Sequence, residues 1–399
     1  MAIKLANRAR AIKPSPTLSV MQKAKALQAQ GLDVVNFGVG EPDFDTPDYI
    51  KEAGKKAIDD NFTHYTAANG IPDLRRAVAD KLKRDNDLDY SPDDILICPG
   101  AKTAIMQMLM TVCDMRDQVM IPTPYWVSYI SQVELVDSLP LMLPTSIKTG
   151  FKITPEQLEE AILTNSTPKV LILNSPNNPT GVVYTRAELE AIAQVCLEHD
   201  IIIISDEIYE KLIYDGEEHV SIASISPEVK DISIVINGVS KAYAMTGWRV
   251  GYAAGPREII QRAGRIQGHL TSCVNSIAQK AAVTALTEDD GTIEVMRQEF
   301  EQRRNYLIDR LNKIKNVSSY LPKGAFYCMP NISYYLFNNR RGITNSVELC
   351  EYLIENYRVA VVPGLAFGVN RYVRFSYASG MDQIKEGLKR FEEGLYSLL

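Results

Sequence analysis

Lys241 and Arg249 stand eight residues apart in Ser240-Lys241-Ala242-Tyr243-Ala244-Met245-Thr246-Gly247-Trp248-Arg249-Val250-Gly251-Tyr252, directly after the apolar run 232–236. A lysine at the end of a buried strand is costly unless it is paired or neutralised. Burial also helps such an amine lose its proton, and a neutral amine can join an aldehyde as an imine. Arg249 adds a fixed cation nearby. The alternative for this segment alone is a surface lysine and arginine flanking a turn.

Four further segments carry chemistry of their own. Ser205-Asp206-Glu207-Ile208-Tyr209 follows four consecutive isoleucines, 201–204. A carboxylate at the end of so apolar a run needs a cationic partner, and a protonated pyridine nitrogen would serve; a helix cap is the alternative. In Asn174-Ser175-Pro176-Asn177-Asn178-Pro179-Thr180-Gly181 two prolines stiffen a loop, so that Asn178 can be aimed with little entropy loss. Pro99-Gly100-Ala101-Lys102-Thr103-Ala104 opens a helix, whose free N–H groups form an anion site. It lacks the spacing of a P-loop. Pro124-Tyr125-Trp126 places one of two tryptophans after another apolar run, where it could stack on a planar ring or fill the core.

The elements that position these residues are short apolar runs alternating with helical patterns. The runs are 95–98, 118–121, 170–173, 201–204, 232–236 and 250–253, and helices are expected at about 101–113, 185–199 and 256–265. Such runs suit strands buried on both faces of a mainly parallel sheet. Three polar signals in succession at strand ends (Asn174–Gly181, Asp206, Lys241) imply one shared site, because open α/β sheets bind ligands at their carboxyl edge. A charged helical segment at 291–315 and an amphipathic one at 381–397 read as a second, α+β domain. Expected boundaries are 1–45 for an N-terminal arm and part of the small domain, 46–288 for the large domain and 289–399 for the small one.

Composition excludes several classes. With 399 residues the chain can bury a large core, and its net charge of -6 argues against nucleic acid or an anionic membrane as the main partner. No apolar run approaches the ~20 residues that span a bilayer. Six scattered cysteines without a Cys-x-x-Cys pair read as reduced thiols in a cytoplasmic protein, and four separated histidines offer no metal cluster. Residues 1–32 carry Lys4, Arg8, Arg10, Lys13, Lys23 and Lys25 and no acidic residue.

An imine-forming lysine, a pyridinium partner, an anion cradle and a stacking ring together describe a pyridoxal 5'-phosphate site. The chain resembles the fold-type I pyridoxal-phosphate enzymes of the class I/II aminotransferases. More narrowly it resembles the prokaryotic-type aspartate aminotransferases, some of which also act on prephenate. The likeness runs from Ile12-Lys13-Pro14-Ser15-Pro16-Thr17 to Val373-Arg374-Phe375-Ser376. It includes Gly38-Val39-Gly40-Glu41-Pro42-Asp43-Phe44 and the segment 65–70.

The resemblance implies a mainly parallel seven-stranded sheet in the large domain and a homodimer with shared active sites. Lys241 would hold the cofactor and shuttle the proton. Asp206 would pair with the pyridine nitrogen, and Asn178 and Tyr209 with the ring oxygen. Gly100, Ala101, Lys102, Arg249 and Tyr65 of the other subunit would lie at the phosphate, and Trp126 over the ring. Arg374 would grip the substrate carboxylate under the backbone of Gly40. Gly238 stands where some relatives place a phosphate-binding serine. Lys13 is the candidate for a distal carboxylate. The implied reaction joins L-aspartate with 2-oxoglutarate, with prephenate to arogenate as a second activity. Alternatives are an aromatic or alanine-type transaminase, or a carbon–sulfur lyase on the same scaffold.

Overall fold

The computed structural model describes residues 4–12 and 16–399, without the side chains at 8, 11 and 16–19. Its main sheet has seven strands: β1 (Ile95–Cys98), β2 (Gln118–Thr123), β3 (Leu139–Pro144), β4 (Pro168–Asn174), β5 (Ile202–Asp206), β6 (Ser233–Gly238) and β7 (Gly251–Ala254). Their spatial order is β1-β7-β6-β5-β4-β2-β3, and only β7 runs against its neighbours. The mainly parallel seven-stranded sheet is therefore present. β3 was not among the apolar runs picked out by sequence. It carries prolines at both ends and sits at the sheet edge, where a missing N–H does no harm.

Successive residues of the central strands enter different cores, which is why these runs are apolar without alternation. Val170 and Ile172 of β4 and Ile204 of β5 pack with Ile105, Met108 and Leu109 of α1 (Ala101–Val112) and Ile260 of α3 (Arg257–Leu270). Leu171, Leu173 and Ile203 face the other way, against Leu189, Ile192 and Val195 of α2 (Arg186–Glu198). The expected helices were right to within a few residues, except that α3 runs on to Leu270.

Register is what turns separate motifs into one site. Asn174 lies beside Asp206, and Asp206 beside Ile236, so the carboxyl ends of β4, β5 and β6 are level. Gly251 pairs with both Gly238 and Cys98, which brings the start of α1 against the end of β6.

A further core gathers Phe300 and Leu307 of α4 (Thr292–Lys313), Leu388 and Phe391 of α5 (Met381–Tyr396), and Phe326, Tyr327 and Phe375. Its small sheet joins β8 (Tyr327–Cys328), β9 (Val362–Pro363) and β10 (Val373–Ser376) in the order β9-β10-β8. Val35 and Phe37 from the N-terminal segment belong to this core, and Val35–Asn36 pairs with Val359–Ala360. Tyr209, Leu212 and Tyr214, just past β5, enter it from the other side. No described helix is long and apolar enough to cross a membrane.

The turn after β5 is held by buried charges. Lys81, on the helix Pro72–Asn86, pairs with Glu210, while Asn86 Nδ2 donates to the same carboxylate at 2.9 Å. Glu207 accepts from Ser205 at 2.8 Å and Ser221 at 2.7 Å and lies 3.0 Å from His219 Nε2. Glu207, Glu210 and His219 thus form the one group of three possible metal ligands among the described residues, but each is already engaged. Breaking a buried pair strands a charge. We expect Lys81→Met to lower the unfolding free energy by about 3–5 kcal/mol. In denaturant titrations the double variant Lys81→Met/Glu210→Met should recover most of that loss; an equal loss in both would rule out the stranded charge as the cause.

Candidate active site

A cavity of about 500 Å³ opens at the level carboxyl ends of β4, β5 and β6, and β10 closes its far side. The sequence-predicted residues Gly40, Ala101, Lys102, Trp126, Asn178, Asp206, Tyr209, Lys241, Arg249 and Arg374 all line it. Gly100 sits immediately behind Ala101 as the residue preceding α1. Tyr65 does not line the cavity of its own chain and is 90% exposed. Lys13 lies outside the described residues.

The Lys241 amine donates to the Gly40 carbonyl at 2.6 Å. Burial pushes its pKa down to about 8, helped by the nearby Arg249 and Arg374 cations and opposed by Glu41 and Asp206. A basic amine that is partly neutral near physiological pH is a competent nucleophile and proton acceptor. The residue holding it in place, Gly40, belongs to the N-terminal segment, which is anchored to β10 by a Ser376 N–H donated to the Phe37 carbonyl at 2.9 Å.

Asp206 ends β5 fully inside the protein. Its Oδ2 accepts from the Tyr129 hydroxyl at 2.7 Å and its Oδ1 from the Ile208 N–H at 3.3 Å. Burial raises its pKa to about 6 against the pull of those two donors. No ion pair joins it to any described cation, so it retains an uncompensated charge that faces the cavity.

Arg374 presents the opposite charge on the far wall. It is 3% exposed, its Nη1 donates to Asn178 Oδ1 and its Nη2 to the Gly38 carbonyl, both at 3.0 Å. Its Nε is buried without a partner, and its guanidinium lies over the Tyr327 ring at 4.5 Å. A buried guanidinium that meets only neutral acceptors is incomplete until an anion arrives. Burial accordingly lowers its pKa.

The start of α1 is shaped for close approach. Gly100 has φ +84, and a Cβ there would collide with the Arg249 guanidinium, so glycine both permits the turn and leaves room for the arginine. The first N–H groups of α1 have no acceptor within the helix, and no side chain caps them. Arg249 donates to the Thr246 carbonyl at 2.9 Å and to the Pro99 carbonyl at 3.4 Å, and its side chain lines the cavity. Gly238 has an explanation here: a Cβ would lie 2.7 Å from Gly251 Cα and 2.8 Å from the Val250 carbonyl. A serine does not fit, and Ser240 instead lines the cavity two residues later.

Asn178 Nδ2 donates to the Tyr209 hydroxyl at 3.5 Å, and Tyr209 also shares a 3.0 Å hydrogen bond with the Tyr327 hydroxyl. Trp126 forms an edge-to-face pair with Tyr129 at 5.3 Å, and the Lys102 amine stands 4.9 Å from the indole centroid. Met21, Tyr129 and Tyr327 line the cavity from outside every segment quoted above, and Gly38, Glu41, Ile208, Ser240 and Thr246 line it from within those segments without having been given a role. Tyr129 had a readable signal, a helical spacing of three from Trp126. Tyr327 had none, since its neighbours in the cavity are remote in sequence.

The family pattern described as aminotransferase class I and II matches residues 32–391. This chain belongs to that family. It is 45% identical over 388 residues to an aspartate aminotransferase of Geobacillus stearothermophilus, covering 97% of this chain and 98% of that protein. An aspartate/prephenate aminotransferase of Nitrosomonas europaea is 42% identical over 97% of this chain and 98% of its own length. The crystal structure of the aspartate aminotransferase from Rhizobium meliloti superposes with a TM-score of 0.95 at 38% identity and covers 100% of both chains. That of Thermus thermophilus with maleate gives 0.93 at 37% identity, over 98% of this chain and 100% of that one. The chain is an aminotransferase with the fold-type I architecture.

In this aminotransferase the depressed lysine leaves a thermodynamic signature. Between about pH 8 and the ordinary 10.5, the unfolded chain binds a proton at residue 241 that the folded chain does not. Stability must therefore rise with pH across that window. Denaturation of the protein without added ligand should show this rise, and Lys241→Met should lack it.

Proposed function

We propose that the cavity holds pyridoxal 5'-phosphate and transfers an amino group between L-aspartate and 2-oxoglutarate, with prephenate as a second acceptor. The observation that carries this reading is the pair of buried, unmatched charges, Asp206 and Arg374, with the Lys241 amine between them in charge influence. The residues fit the cofactor: a carboxylate lacking a cation for a pyridinium, an uncapped helix start with Arg249 for a phosphate, and an indole for a planar ring.

When bound, the cofactor supplies an electrophilic carbon for the amino group and an electron-poor ring that draws on the Cα–H bond. Asp206 would keep the ring nitrogen charged, and Asn178 and Tyr209 would donate to the ring oxygen. The Ala101 and Lys102 N–H groups, with Arg249, would hold the phosphate. Arg374 takes the substrate α-carboxylate, satisfying its orphaned Nε and fixing Cα near the Lys241 amine. Lys241 Nζ would accept the Cα proton and pass it to the cofactor side rather than back to Cα, a role that its pKa near 8 suits.

A second carboxylate needs a further cation. Arg249 is engaged near the helix start and Arg374 with the first carboxylate, so the Lys102 side chain over Trp126 is the described cation left for it. The named activities of the aspartate and aspartate/prephenate relatives support this substrate choice. We assign the exposed Tyr65 to the cavity of a second copy in a homodimer. We also divide the chain into a large domain, 46–288, and a small one built from 1–45 and 289–399, because Val35 and Phe37 share the core of Phe375 and Phe391. Six free cysteines are consistent with a reducing cytoplasm.

Lys241→Ala should reduce transamination by at least about 10²–10⁴-fold, the usual worth of a positioned acid–base; turnover near wild type would sink the mechanism. With glutamate as donor, Lys102→Met should raise KM for dicarboxylic acceptors by about 10-fold or more, as expected for losing a hydrogen bond to a charged group. KM for a monocarboxylic acceptor should barely change. Equal changes for both classes would remove Lys102 from substrate recognition. Release of ammonia without an acceptor would instead favour a lyase.

A further inference from the structure

We propose that Tyr129 is a positioning residue, whose hydroxyl keeps the Asp206 carboxylate ionised and turned toward the ring nitrogen of the cofactor. This rests on the pyridoxal phosphate reading and assigns a residue that the reading leaves without a role. Tyr129 lies on the helix Ser128–Leu135, is 2% exposed, and donates its hydroxyl to Asp206 Oδ2 at 2.7 Å. The bond is short and ends on a charge, which places it among the stronger hydrogen bonds.

Three features make the contact specific. The Trp126 ring packs edge-on against Tyr129 at 83°, with centroids 5.3 Å apart. The Ile208 N–H holds the other oxygen, at a longer 3.3 Å, leaving Tyr129 as the closer of two donors. The carboxylate also needs help. Burial and the Glu207 charge favour its protonated form, and among the facing groups Tyr129, the Ile208 N–H and the Lys241 amine oppose them. Tyr209 is a fourth titratable group close to this pair. The Tyr129 phenol is itself held well above its ordinary pKa by burial and by Asp206, so it remains a donor throughout the working range.

Removing the hydroxyl takes away a donor to the charged form and moves Asp206 toward protonation at neutral pH. A neutral carboxylic acid loses its hold on a pyridinium. The consequence is a loss of cofactor affinity that depends on pH: large where the carboxylate becomes protonated, small where it is ionised regardless.

The test uses the cofactor-free full chain titrated with pyridoxal 5'-phosphate and followed by equilibrium dialysis, for wild type and Tyr129→Phe. Circular dichroism confirms folding. We expect Tyr129→Phe to bind about 10-fold more weakly near pH 6, the scale of a hydrogen bond to a charged group. The ratio should shrink toward one by about pH 8.5. A ratio that does not vary with pH, or no loss at either pH, overturns the inference. Wild type failing to bind would overturn the cofactor reading and this inference together, whereas wild-type binding with an unchanged variant overturns only the role of Tyr129.

Discussion

A carboxylate and a guanidinium are buried in one cavity and kept from pairing. Asp206 and Arg374 would form a strong ion pair if they met, and the site would then be closed to ligands. The scaffold prevents this by placing them on different elements, Asp206 at the end of β5 and Arg374 in β10 of the second core. Asn178 stands between the two halves: its Oδ1 takes an Arg374 N–H while its Nδ2 points to the Tyr209 hydroxyl. Each charge is hydrogen-bonded enough to persist and not enough to be satisfied. That deficit is what a ligand carrying both a positive ring and a negative carboxylate can fill.

The same deficit tunes the lysine. Lys241 is influenced by both buried charges and by Arg249 and Glu41, and these partly cancel. Burial then decides the outcome and moves the amine toward neutrality. The Gly40 carbonyl orients it, so the N-terminal segment, β10 and the end of β6 all contribute to one nucleophile. A change in the packing of the small core can thereby reach the amine without touching it.

Backbone proximity is the second constraint. Three chain segments converge where Gly100, Gly238 and Gly251 touch, and a side chain at Gly100 or Gly238 would displace Arg249 or the β6–β7 pair. Gly238 shows how a local departure from a family pattern can be read. A serine at that place has no room here, and Ser240 offers a hydroxyl to the same cavity.

Much of the fold is legible in the sequence. The apolar runs marked six of seven strands, because a strand buried on both faces cannot hide its composition. The runs ended in Asn174, Asp206 and Lys241, and polar residues at such ends have few structural uses. The edge strand β3 escaped because its prolines and half-exposed pattern do not look like a buried strand. The cavity residues Tyr129 and Tyr327 escaped for a different reason. An aromatic side chain has the same composition signal in a core as in a site, and only its neighbours distinguish the two. The sequence by itself determined the strand–helix alternation, the reactive side chains and the family they belong to. Tertiary structure alone decided the strand register that levels three motifs, the separation of Asp206 from Arg374, and the partners of each buried charge. Those depend on distances between residues far apart in the chain, and burial acts on a charge through everything around it.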